Sequence, residues 1–195
     1  IIKINYIHKD GRNIQLLKNS SFIEDSLRIR ENFKSINFGL TIVEILDKLV
    51  KENDIDSIIF RLTARTLITL KDHKTNHNIL FSFYILQLSI RLGFMPEVNK
   101  CSNCFIELRN AKYDEYDGEL ICENCASERA IKFSVNTIDL IKSLLTVHID
   151  SLHTLRYDKV TIAELNMFID YYSKFHLNGM SKVKSLKILR ELINE

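Results

Sequence analysis

Four cysteines, Cys101, Cys104, Cys122 and Cys125, are all the thiols in this chain, and they fall as two CxxC pairs. Between the pairs lies a spacer of about 17 residues, which fits the four-cysteine zinc pattern. Two residues between thiols let both sulfurs of a turn point at one ion, and two such turns close a tetrahedral S4 shell. Borderline-soft Zn(II) suits four thiolates, and an iron-sulfur cluster suits this spacing less well. Two disulfides are the bland alternative, disfavoured because the spacing is zinc-like and nothing suggests secretion. A catalytic zinc would need an open coordination position, and no HxE or HExxH motif accompanies the cysteines. The expectation is structural zinc, held by Cys101, Cys104, Cys122 and Cys125.

No other constellation reaches that specificity. The six histidines are dispersed, with His8, His73, His77, His148, His153 and His176 far from any nucleophile motif. GxGxxG, GxxxxGK[ST] and GxSxG are all missing, so nucleotide-cradling loops and a nucleophile elbow lack support. The carboxylate pairs Asp54/Asp56 and Asp114/Asp117 read as turn and surface chemistry. No catalytic residue is expected. Basic residues Lys3, Lys9 and Arg12 with Tyr6 could present cations and a ring on one sheet surface, as single-strand binders do. Arg28 and Arg30 extend this basic first segment, among Asp10, Glu24, Asp25 and Glu31. A second basic stretch carries Lys174, Lys182, Lys184, Lys187 and Arg190 against Glu191 and Glu195, while the cysteine loop is acidic. Solvated helix faces explain such charge equally well.

The elements that would position these residues follow from periodicity. At 195 residues and 46% hydrophobic, the chain can bury one core plus a small module, and its formal charge of +2 does not announce nucleic acid. Residues 2–7 alternate as a strand, Asp10-Gly11-Arg12 turns, and alternation resumes at Asn13, so a β-hairpin is expected. Such a hairpin must pack on the rest or belong to a larger sheet. Ile36, Leu40, Val43, Leu46 and Val50 predict a helix, broken at Asn53-Asp54. Ile55, Ile58, Ile59, Leu62, Leu67 and Leu70 predict a second. Ile79 to Leu92 is apolar almost all round and reads as a buried central helix, ended by Gly93 and Pro96. Within the cysteine loop a hairpin turns near Asp117-Gly118. Ser134 is a candidate N-cap, Thr161 and Glu164 form a capping-box pattern, and Ser181 opens a last basic helix.

From Phe81 to Cys125 the order of parts resembles a known family. An apolar helix runs into Gly93-Phe94-Met95-Pro96, a four-cysteine loop follows with the aromatic hairpin from Tyr113 to Ile121, and a bundle ends in Tyr171-Tyr172 to Lys184-Ser185. This arrangement is similar to the RecO family of bacterial recombination mediators. The resemblance implies an N-terminal OB-fold barrel, a helical domain and a structural zinc in many members. It implies binding of single- and double-stranded DNA and annealing of complementary strands. It further implies action with RecR to load recombinase on strands covered by single-strand-binding protein, without enzyme activity. Phe105 and the lone Gly118 stand where the family carries glycines, and Asn103 and Asn124 are expected to relieve the tight turns.

The expected class is thus mainly α: a helical bundle with an inserted four-cysteine zinc module, preceded by the last strands of an OB-fold barrel. Residues 1–20 would be the β part, 21–96 and 131–195 the helical domain, and 97–130 the zinc loop. The chain does not begin with Met, which leaves room for an upstream segment. Ile1 to Ile4 lacks a leader's basic start, and no stretch is long and apolar enough for a bilayer, so a bacterial cytoplasmic, nucleoid-associated protein without a membrane partner is expected. The competing reading is a zinc-stabilised protein-interaction adaptor without DNA affinity.

Overall fold

The computed structural model describes residues 1–24, 27–51, 56–72 and 74–193. The expected break at Asn53-Asp54, and Asp25, Ile55, His73 and Glu195, lie outside them. The molecule is mainly helical, with two small antiparallel sheets. Strands β1 (Ile2–Ile7) and β2 (Leu16–Phe22) form the first sheet. The strand resumes at Leu16 rather than Asn13, because Gln15 organises the loop. Its side chain accepts the Lys9 N–H and donates to the Lys9 and Arg12 carbonyls. Every residue of both strands is exposed, so nothing described here covers the hairpin.

Helices α1 (Leu27–Arg30), α2 (Phe33–Leu49), α3 (Ser57–Leu70) and α4 (His77–Arg91) follow. Ten residues of α4 are buried, as an all-round apolar helix requires. It packs against α3 and, from later in the chain, α5 (Val135–Thr146) and α6 (Lys159–His176). In α2 the buried stripe is Phe38, Ile42 and Ile45, while Leu40 and Val43 stay exposed. Both stripes repeat at helical spacing, and the bulkier one containing Phe38 takes the core.

Strands β3 (Ala111–Asp114), β4 (Glu119–Ile121) and β5 (Ile131–Phe133) form the second sheet in the order β4-β3-β5. The β3–β4 turn falls at Gly118, whose φ of +73° is left-handed, as the sequence suggested. β5, only three residues long, carries too short a period to be read beforehand.

Two helix starts, those of α6 and α7, differ from expectation, and at both a carboxylate makes the cap. Asp158 caps α6 by accepting the N–H and hydroxyl of Thr161, so Thr161 is inside the helix. Glu164, freed from the capping box, crosses to α5 and accepts the N–H and hydroxyl of Ser134 and the hydroxyl of Thr137. Ser134 sits at the N-cap position of α5 but makes no capping bond of its own. The last helix, α7 (Ser185–Ile193), begins after a 3-10 turn at Met180–Lys182, not at Ser181. Glu44 of α2 caps it, accepting the N–H groups of Lys184 and Ser185 and the Ser185 hydroxyl.

One continuous core joins α2 to α7 with Val98, Leu108, Ala111, Tyr113, Leu120 and Phe133 of the cysteine-bearing segment. No described helix is long and apolar enough to cross a membrane.

Candidate metal centre

The first cysteine turn is a tight loop between two short extended segments, linked by a bridge between Lys100 and Glu107. The Cys101 N–H donates to the Ile106 carbonyl at 2.8 Å, and the Phe105 N–H returns to the Cys101 carbonyl at 2.9 Å. The second turn follows β4, where the N–H groups of Cys125 and Ala126 both reach the Cys122 carbonyl. The two turns meet directly. The Cys122 N–H donates to the Cys101 Sγ at 3.3 Å, and the Ser102 N–H donates to the Leu120 carbonyl at 3.2 Å.

All four Sγ atoms lie within 4.8 Å of one another, and those of Cys104 and Cys122 are 3.6 Å apart. A disulfide would need about 2.05 Å, and all four thiols are free. Four sulfurs around a zinc at about 2.3 Å would sit about 3.8 Å apart, a separation that the Cys104–Cys122 pair approaches and the whole set is close enough to allow. The residues present therefore fit a metal ion held by four sulfurs. Cys101 and Cys122 are buried, Cys125 is half-buried and Cys104 is exposed.

The protonation pattern agrees with a cation-binding cluster. Burial pushes the Cys101 thiol up, but the N–H groups of Cys104, Cys122 and Asn103 outweigh it and bring it to about 6. Cys125 moves the other way, to about 12, because its proton is shared with the sulfurs of Cys104 and Cys122. Four thiolates cannot crowd together unneutralised, and a divalent cation removes that obstacle.

Phe105 is the one non-glycine residue with positive φ among the described residues, at 61°. Neither Asn103 nor Asn124 adopts that conformation, so the expected relief at those asparagines does not occur. The chain instead places a bulky side chain in the left-handed region, at a cost of about 1–2 kcal/mol, and turns its ring to solvent, 73% exposed.

An aromatic seam docks the module on α6. Tyr113 meets Phe168 edge-on at 6.1 Å, Phe133 meets Phe168 at 5.8 Å, and Phe168 stacks on Tyr172 at 5.4 Å. The Tyr172 hydroxyl donates to the Phe94 carbonyl at 2.5 Å, and the His176 Nε2 lies 2.8 Å from the Gly118 carbonyl. A Cβ at Gly118 would sit 2.3 Å from the Phe175 ring, so only glycine fits that contact. Sequence reading named the Tyr113 to Gly118 hairpin and Tyr172 but not their docking, although Phe168, Tyr172 and His176 recur at four-residue intervals, the signal of one helix face. Glu123, inside the second CxxC, pairs with Lys112 of β3 at 3.4 Å and Lys132 of β5 at 3.9 Å.

The candidate phosphate-binding residues are spread rather than clustered. Lys3 lies on β1, Lys9 and Arg12 in the loop at the hairpin's far end, and Arg28 and Arg30 on α1. All five are exposed, and among the described residues no carboxylate pairs with them. Arg30 and Ile1 line one groove, so α1 adjoins the start of β1; the six residues of β1 then separate the two ends by about 20 Å. The extra residue of the β-bulge is Lys18 on β2, so β1 alternates regularly. Tyr6 shares a face with Ile2 and Ile4, while Lys3 shares the other with Asn5, which bonds Asn19 across the pair. Lys3 and Tyr6 therefore do not share one surface as expected, although Tyr6 is exposed.

Among the described histidines none approaches the sulfurs as a ligand; His8 and His148 pair with Asp10 and Asp150 on the surface.

Comparison with known proteins places this architecture. The family model described as the C-terminal part of recombination protein O matches residues 30–187. The DNA repair protein RecO of Alkaliphilus metalliredigens is 23% identical over 185 residues, covering 93% of this chain and 75% of that protein. RecO of Thermoanaerobacter sp. is 26% identical over 183 residues, covering 92% of this chain and 73% of its own length. RecO of Salinibacter ruber is 34% identical over 98 residues, covering 50% of this chain and 38% of that protein. A helical bundle carrying a four-cysteine module, matched by that model over most of its length, belongs to the RecO family of DNA repair proteins.

Proposed function

We propose that this protein is a recombination mediator that binds DNA through its basic N-terminal segment, anneals complementary single strands and acts with RecR to load recombinase onto strands covered by single-strand-binding protein. Family membership supports the class, and the observation that carries the DNA reading is a set of exposed cations, Lys3, Lys9 and Arg12 on the hairpin and Arg28 and Arg30 on α1, with no carboxylate partner among the described residues. Those cations would neutralise phosphate without reading sequence, and two strands neutralised on one surface can pair. The protein works by binding, and no residue is assigned a catalytic role.

The hairpin is read as the last strands of an OB-fold barrel. Its face of Ile2, Ile4, Tyr6, Leu17 and Phe22 is apolar and exposed, and two strands alone cannot sustain such a face in water. Zn(II) is the ion assigned to Cys101, Cys104, Cys122 and Cys125, where it would close an S4 shell and hold both turns together. A closed shell of that kind is structural.

The test is strand annealing with complementary oligonucleotides across a salt series. The double variant Lys9→Glu/Arg12→Glu should abolish binding and annealing. An unchanged titration would favour the second reading, an interaction adaptor without DNA affinity. One observation favours that alternative: an apolar groove of about 340 Å³ between α1, α2 and α3, lined by Ile29, Ile36, Leu40, Val43 and Leu67.

A further inference from the structure

We propose that hydrogen peroxide joins Cys104 and Cys122 in a disulfide across the two cysteine turns, expelling the metal and making the module a reversible redox switch. The loss of metal rests on the S4 reading above; the choice of sulfur pair does not.

Three observations favour this pair over a bond within the first turn. Cys104 is the exposed member of the set, so a small oxidant meets it first. The Cys122 Sγ lies 3.6 Å from it, within reach once the ion is no longer between them. Cys101, the other member of the first turn, is fully buried, and its sulfur is engaged by the Cys122 N–H. The reaction therefore runs between turns rather than within one.

The steps balance with peroxide as the oxidant. The Cys104 thiolate attacks one peroxide oxygen; an S–O bond forms, the O–O bond breaks, and hydroxide leaves and is protonated to water. The Cys122 thiolate then attacks the Cys104 Sγ; the S–S bond forms, the S–O bond breaks, and a second hydroxide leaves as water. Two thiolates lose two electrons and one peroxide gains them. Only the sulfurs of Cys101 and Cys125 remain for the ion, half of a shell that needs four. A dithiol reductant reverses the disulfide and restores the site.

The new bond spans the same junction as the metal, so the turns stay joined when the ion leaves. What changes is the seat of Phe105, whose left-handed backbone directly follows Cys104. Oxidation thus reaches the exposed tip of the module while the aromatic seam on α6 stays packed.

The experiment is a peroxide titration of the purified protein, reading released zinc with a chromogenic chelator and mapping disulfides by mass spectrometry after alkylation and trypsin. Cleavage after Lys100 and Arg109 puts Cys101 and Cys104 on one peptide, and cleavage after Lys112 and Arg129 puts Cys122 and Cys125 on another. The expected result is one zinc released per chain and the two peptides linked through Cys104 and Cys122, both undone by dithiothreitol plus zinc. A bond confined to either peptide, or zinc retained while Cys104 goes on to the sulfinic acid, would overturn the inference. The zinc content before peroxide is a separate readout. A protein without zinc that still gives the Cys104–Cys122 link would contradict the metal reading and support this one.

Discussion

Cys122 carries more than its sulfur. It is buried, its N–H holds the Cys101 Sγ, and its carbonyl takes two N–H groups of its own turn. Cys122→Ser should therefore release the metal and cost stability, on the order of 3 kcal/mol, or roughly 10 °C in melting temperature for a chain of this size. Elemental analysis together with calorimetry checks both, and a variant that keeps full zinc and an unchanged melting point would defeat the S4 assignment. Tyr113 makes the opposite prediction. It is buried, and among the described residues its hydroxyl has no hydrogen-bond partner, so the phenol pays desolvation for nothing in return. Tyr113→Phe should be neutral or stabilising by about 1 kcal/mol, read as a rise in thermal midpoint. At this scale the four-cysteine cluster that could hold a metal was legible because a CxxC spacing is local. The left-handed Phe105 was not, since its side chain type argues against the backbone it adopts.

Between elements, the recurring device is a helix start capped by a glutamate from another helix. The Ser185 hydroxyl, then the N–H groups of Lys184 and Ser185, pull the Glu44 carboxyl from an ordinary 4.5 down to about 2. Burial pushes the Glu164 carboxyl up, but the Thr137 hydroxyl and the N–H and hydroxyl of Ser134 outweigh it and hold it below the usual range. Both folded-state values lie below the unfolded ones. The contribution is therefore full above about pH 4.5 and is lost as pH falls from there toward 2. Wild-type melting temperature should drop over that window, and Glu44→Gln/Glu164→Gln should flatten the drop. Removing one cap, as in Glu44→Ala, should cost about 1 kcal/mol at neutral pH by denaturant titration. These caps were illegible in sequence because their partners lie 141 and 30 residues away. The face of α2 failed for a different reason: Ile36, Leu40 and Val43 repeat as regularly as Phe38, Ile42 and Ile45. By contrast α4 needed no choice of face, and the hairpin at Gly118 carried its own turn residue.

Taken whole, the molecule separates a packed helical part from an exposed hairpin, to which the proposed function gives the DNA. Helices and cysteine module share one core, whereas the N-terminal hairpin is exposed along both strands and carries cations from base to tip. Phosphate binding by these cations releases counterions, so affinity should fall steeply between low and high salt, and Lys9→Glu/Arg12→Glu should leave no binding even at low salt. The most direct test of the mediator account is annealing of complementary oligonucleotides by the full-length gene product beside this 195-residue chain, at low and at high salt. The account predicts annealing by the longer protein that is strong at low salt and suppressed at high salt, with the shorter chain retaining the share borne by its hairpin. Absence of both binding and annealing in either protein at low salt would contradict it.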